Sequence, residues 1–166
     1  MKTLLHFDAT WRYALCQIGD TLTISTSRLV KTLGGRSILK GRPLSYDTLI
    51  AQVRSGLPYT VLEAIATRFD IPQEDLVRVL DLPIRTLARR KKERRLRADE
   101  SDRLLRLGLI ATLAEEVLGS REKAVAWLRK PNRALAGTNP LDRLDTEIGV
   151  QQVEQLLLRI AHGVYS

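Results

Sequence analysis

A chain of 166 residues with 44% hydrophobic but only 5% aromatic residues must build its core from Leu, Ile, Val and Ala, a palette that suits helices. Its 27 basic and 19 acidic residues leave a net charge of +8 and a pI of about 10.1, which favours a polyanionic partner and says nothing about fold. The single cysteine, Cys16, excludes an internal disulfide. His6, Asp8 and Arg12 interrupt any leader-like run at the N-terminus, and no stretch approaches the ~18 apolar residues of a membrane span. A reducing cytoplasm is the expected setting, with no membrane contact.

Residues 1–44 are the least legible. An alternation around Leu22 and Ile24 has the pattern of a short strand, and Gly34-Gly35 and Gly41-Arg42-Pro43 read as loop and boundary. From Ser45, a plausible N-cap, the pattern becomes helical: Leu49, Ile50 and Val53 share a face, and Gly56 stops the segment. Pro58 suits the first position of a second helix, in which Leu62, Ile65, Ala66 and Phe69 fall at the spacing of a buried stripe. Pro72 opens a third, with Glu74 and Asp75 in its first turn, where negative charge complements the helix dipole. Leu76, Val79 and Leu80 form its apolar face. The turn Asp81-Leu82-Pro83 leads into a fourth helix, from about Ile84 to Arg95. Two short helices about a tight turn, with two more packed around them, predict a helix-turn-helix domain. Many such turns carry glycine where Asp81 stands, but aspartate tolerates positive φ better than most residues.

Ala98 to Leu118 predicts one longer helix, ended by Gly119. Ser120 caps the next, which carries Ala124, Trp127 and Leu128 and is broken at Pro131-Asn132. Asn139-Pro140 begins a short turn running through Leu144. A last helix from about Glu147 places Val150, Val153, Leu156, Leu157, Ile160 and Ala161 on one side, with Gly163 where a left-handed stop belongs. The expected fold is therefore all-α. It comprises an extension at 1–32, a helix-turn-helix domain at 33–97 and a small helical domain at 98–166.

Charge is concentrated in one place. Between Arg85 and Arg97 the chain carries a net +7, opposed only by Glu93. If Ile84, Leu87 and Ala88 face inward, then Arg85, Thr86 and Arg89 project outward at the start of the second helix of the motif, the part that enters a major groove. Arginine pairs with guanine O6 and N7 there, and later cations such as Arg90 and Lys92 reach phosphates. The candidate contacts to double-stranded DNA are thus Arg85, Thr86, Arg89, Arg90 and Lys92. A solvated, charge-rich helix end and an RNA-binding arginine run remain alternatives.

Catalytic patterns are missing. His6 and His162 stand far apart without a metal-ligand cluster, and Cys16 has no evident base. Gly34-Gly35-Arg36-Ser37 lacks the lysine of a phosphate loop, and the adjacent Glu115 and Glu116 point in different directions on a helix. No enzyme activity, metal or cofactor is expected.

Several segments, in order, resemble the Xre/MbcA/ParS family of bacterial antitoxins. Gly56-Leu57-Pro58 and Arg85-Thr86-Leu87-Ala88-Arg89-Arg90-Lys91 are similar to its helix-turn-helix portion, and the stretch from Glu100 to Leu107 to the start of its linking helix. Ala126-Trp127-Leu128, the run from Pro131 to Leu135, the run from Gly137 to Leu141, Asp145-Thr146-Glu147, Val153-Glu154 and Gly163-Val164-Tyr165-Ser166 resemble its toxin-binding domain. The likeness covers about residues 33–166. It implies a homodimeric antitoxin that represses its own operon by binding operator DNA. It also implies a partner, a RES-type toxin that resembles ADP-ribosyltransferases and consumes NAD. The toxin's pocket would be obstructed by the end of the last helix, with Arg159, Ile160, Gly163, Val164, Tyr165 and Ser166 as contacts. Without the resemblance, simple fraying of the tail is the default at a terminus. A stand-alone transcription regulator with a C-terminal dimerisation domain is the alternative for the whole chain, and a nucleoid or RNA-binding protein a third.

Overall fold

The computed structural model describes residues 26–35 and 45–163. The alternation at Leu22 and Ile24, the Gly41-Arg42-Pro43 boundary, His6, Cys16 and the tail Val164-Tyr165-Ser166 lie outside the described residues. Those described form eight α-helices: α1 Thr26–Thr32, α2 Tyr46–Ser55, α3 Tyr59–Arg68, α4 Gln73–Val79, α5 Ile84–Glu93, α6 Ala98–Leu118, α7 Arg121–Arg129 and α8 Glu147–Ala161. Two 3-10 turns, Arg133–Leu135 and Pro140–Asp145, precede α8. The fold is all-α, as expected, and no strand occurs among the described residues.

The punctuation does what its chemistry requires. The Ser45 hydroxyl accepts from the Thr48 amide at 3.2 Å and caps α2; Ser120 accepts from Lys123 in the same way for α7, and Thr146 from Gly149 for α8. Each satisfies a donor that a helix start leaves unpaired. Gly56 ends α2 at φ 91°, and a Cβ there would lie 2.2 Å from the Leu96 carbonyl oxygen. The position demands glycine twice over, by backbone conformation and by space. Pro58 stands at the N-cap of α3 rather than at its first helical residue.

Helix α6 is the axle of the molecule. It packs against α1, α2, α7, α8 and the turn at 140–145. Leu104, Leu107, Ile110, Ala111, Leu113 and Ala114 enter a core shared with Leu62, Ile65 and Phe69 of the stripe expected in α3. Burying each such leucine contributes about 1.5–3 kcal/mol relative to leaving it in water. Polar contacts follow the same axis. The Leu57 amide donates to Ser101 Oγ at 2.8 Å, Arg103 donates to the Leu80 carbonyl at 2.7 Å, and Arg68 grips both oxygens of Glu115 at 2.7 and 2.8 Å. Glu116, on the other side, pairs with Arg28, so the two adjacent glutamates do point apart.

Helix α1 lies in the segment whose sequence pattern is least legible. Leu29 and Leu33 are buried, and the Thr32 hydroxyl, also buried, is joined to that of Thr112 at 2.8 Å. Seven residues that include three hydroxyl side chains carry almost no periodic signal of their own; the helix is stabilised by what α6 offers it. Gly34 and Gly35, both at positive φ, end it, in keeping with their reading as breakers.

Candidate nucleic-acid and toxin interfaces

Helices α4 and α5 meet about a short turn whose chirality rests on one residue. Asp81 has φ 49°, so it supplies the left-handed conformation that glycine often provides, and the next amide, Leu82, donates back to the Val77 carbonyl at 2.9 Å. Leu80 and Leu82 are buried at the turn, which sets the second helix against the first.

Helix α5 contributes just two side chains to the interior. Leu87 is 1% exposed and Arg90 4%. The Arg90 Nε lies 2.8 Å from both carboxylate oxygens of buried Glu100, and its Nη1 donates to Glu93 at 2.6 Å. Burial by itself would lower the guanidinium pKa, but the hydrogen bonds Arg90 donates to Glu93 and Glu100 outweigh it and hold the group above its ordinary value. Glu100 also accepts from the Arg97 amide at 2.8 Å, which anchors the start of α6. An unpaired charge here would be costly, whereas these partners satisfy it.

Two expectations need correction in consequence. Arg90 does not lie among the outward cations, because its guanidinium is enclosed by Glu93 and Glu100. Of the three residues expected inward, only Leu87 is so; Ile84 is 60% exposed and Ala88 is also exposed. Leu87 and Arg90, three residues apart, share the buried face, and this register turns Ile84 and Ala88 out. Sequence periodicity counts arginine as polar and cannot see a carboxylate that arrives from another helix.

The other candidates stay at the surface. Arg85, Arg89 and Lys92 are exposed and Thr86 is half-buried. Arg89 faces Glu93 at 3.8 Å and Lys91 faces Glu63 at 3.4 Å, both loose and solvent-exposed. The helix ends at Glu93, not at Arg95. Arg94 takes φ 55°, and the chain then pairs backbone to backbone with the start of α3: the Tyr59 amide donates to the Arg94 carbonyl at 3.1 Å and the Leu96 amide to the Leu57 carbonyl at 2.9 Å. Leu96 is buried, so the clasp delivers an apolar side chain to the core while Arg94 and Arg95 remain outside.

The second candidate surface is the far end of α8. Gly149, Val150, Val153, Leu156 and Leu157 are buried and fix the helix. A Cβ on Gly149 would fall 1.9 Å from the Arg143 carbonyl oxygen, which shows how closely the helix start sits on the preceding turn. Arg159 is exposed and Ile160 half-buried. Gly163 has φ 69°, with open space around it, and its amide donates to the Ile160 carbonyl at 3.1 Å. No group of three or more metal-ligating side chains occurs among the described residues. None of their helices is long and apolar enough to cross a membrane.

A left-handed turn between two short helices, with a cationic second helix facing outward, defines a helix-turn-helix protein. Comparison with known proteins agrees. The family model for the antitoxin Xre-like helix-turn-helix domain matches residues 48–108, and that for the antitoxin Xre/MbcA/ParS C-terminal toxin-binding domain matches residues 113–163. The chain is 31% identical to an antitoxin Xre of Yersinia enterocolitica over 129 residues, covering 76% of this chain and 87% of that protein. It is 33% identical to an antitoxin Xre of Photorhabdus laumondii over 120 residues, covering 71% and 81%. With an antitoxin Xre of Pseudomonas putida the identity is 45% over 83 residues, 49% of this chain and 52% of that protein, so that match spans about half the relative's length. The chain belongs to the Xre/MbcA/ParS antitoxin family.

Proposed function

We propose that this antitoxin neutralises a RES-type, NAD-consuming toxin by covering its active site with the end of α8 and the residues after it, and that α5 binds operator DNA to repress the antitoxin's own operon. The observation that carries the first part is the toxin-binding match, which runs through the whole of α8 to Gly163. Arg159 and Ile160 lie on the last turn of a helix whose other face is fixed in the core, and the left-handed Gly163 turns the chain off the helix axis. Val164 and Tyr165 would supply apolar area and a hydroxyl to a pocket that otherwise holds a nucleotide. The observation behind the second part is the exposed Arg85, Arg89 and Lys92, with half-buried Thr86 beside them, on the second helix of the motif. A homodimer would present two such helices to a two-fold operator, in the cytoplasm where both DNA and toxin are found.

The test is growth of cells co-expressing the toxin encoded beside this gene with each variant, together with an NAD measurement in the same cultures. Deleting residues 164–166 is expected to restore toxicity while leaving operator affinity intact. Tyr165→Ala is expected to weaken neutralisation, since truncating an interfacial aromatic anchor costs about 2 kcal/mol or more. Full protection by the shortened chain would place inhibition elsewhere.

A further inference from the structure

The outward turn of Ile84 has a use that its burial in the core would have denied it. Leu87 and Arg90 fix the rotation of α5, and under that rotation Ile84, the first residue of the helix, is 60% exposed. Ala88, four residues on and therefore on the same face one turn along, is exposed as well. Arg85 and Arg89 follow each of them directly in sequence. The outward strip of α5 is thus two apolar groups beside two guanidinium groups, at the end of the helix that a helix-turn-helix inserts into the major groove.

We infer that Ile84, with Ala88 behind it, reads the 5-methyl groups of thymine, while Arg85 and Arg89 read neighbouring guanines. The inference rests on the proposed DNA-binding role of α5 and assigns its chemistry. The thymine methyl is the apolar feature on the major-groove edge of the bases, and a branched aliphatic side chain complements it, whereas arginine complements guanine. An isoleucine exposed in the free protein regains the benefit of burial only when such a group covers it. Its substitution leaves the core untouched, so effects on DNA can be separated from effects on folding.

The experiment selects duplexes from a random-sequence pool with the full wild-type chain. It then replaces each thymine of the selected site by uracil, one at a time, which removes the methyl and nothing else. Binding of wild-type, Ile84→Ala and Ala88→Gly proteins is measured on each duplex, with a thermal melt of each protein alongside. Wild type is expected to lose about fourfold in affinity at one or two thymines, the factor that corresponds to about 0.8 kcal/mol for one buried methyl. Ile84→Ala is expected to bind the thymine and uracil forms alike at those positions, with an unchanged melting temperature. Equal wild-type affinity for every thymine and uracil pair would overturn the assignment of Ile84 while leaving DNA recognition by α5 intact. So would an Ile84→Ala protein that still distinguishes them. Failure of the wild-type chain to enrich any sequence would instead overturn the DNA-reading role itself, and this inference with it.

Discussion

Helices α5 and α8 both present an outer face for which a partner is proposed, yet they are held by opposite means. Helix α8 is held chiefly by five buried residues in a stripe, with Glu147 at its first turn also paired to Arg106 of α6. Helix α5 spends most of its surface on cations, keeps one buried leucine, and relies for its second anchor on an arginine neutralised by Glu93 and Glu100. A helix that must be cationic to meet a polyanion has little apolar surface left to secure it. Here the remedy is a buried ion pair directed at the axle helix, reinforced by the backbone clasp beyond Arg94.

The largest expected effect breaks that anchor. Glu100→Ala removes the buried carboxylate from Arg90, leaving only the more exposed Glu93 as its partner, and is expected to cost about 3 kcal/mol in urea unfolding. Replacing both Arg90 and Glu100 by leucine is expected to recover most of this stability. Leu157→Ala, the corresponding break in α8, is expected to cost about 2–5 kcal/mol through the cavity it leaves, and no change of charge elsewhere should restore it. A Glu100→Ala protein as stable as wild type would show that the clasp alone holds α5.

Smaller effects should separate on DNA without touching the fold. Arg85→Ala and Arg89→Ala are each expected to weaken operator binding by about 1–3 kcal/mol and to relax preference at one base position. Lys92→Ala is expected to weaken all sequences alike and to reduce the salt dependence by about one unit of slope. Wild-type affinity in all three would remove α5 as the reader.

The smallest effect sharpens the contrast from the side of α8. Glu154, largely shielded from solvent, has its pKa raised, first by burial and then by neighbouring Glu147. Because the folded value lies above the unfolded one, ionised Glu154 opposes folding above that value, and the penalty disappears as pH falls below the unfolded value. Glu154→Gln is therefore expected to raise the melting temperature slightly at neutral pH, with the gain vanishing towards acid. A constant gain at every pH would assign it to packing instead.

Most of the helical grammar was legible in the residues themselves. Ser45, Gly56, Gly119, Ser120 and Gly163 all act where their side chains or backbone freedom suggest, and α6 spans the expected Ala98–Leu118. Asp81 was readable as a left-handed turn residue for the same local reason. What escaped depends on partners distant in the chain. Arg90 faces inward because Glu100 waits there, Ile84 faces outward as a result, and α1 exists against Thr112 and its neighbours. The boundary at Arg97 and Ala98 follows the change in charge, but packing does not change there; α6 belongs to both sides, and the helix-turn-helix match continues to residue 108.

The spare anchoring of α5 bears on how such proteins diverge. With Leu87, Arg90 and the clasp at Leu57–Tyr59 and Arg94–Leu96 holding the helix, the exposed positions 84, 85, 88, 89 and 92 can change without disturbing the core. If α5 reads operator DNA as proposed, selection can rewrite the operator alphabet at those positions while the scaffold and the proposed toxin-facing end stay fixed. Two copies of such a gene in one genome could drift to separate promoters by a handful of substitutions, each tolerated by the fold as it arises, and so escape cross-regulation.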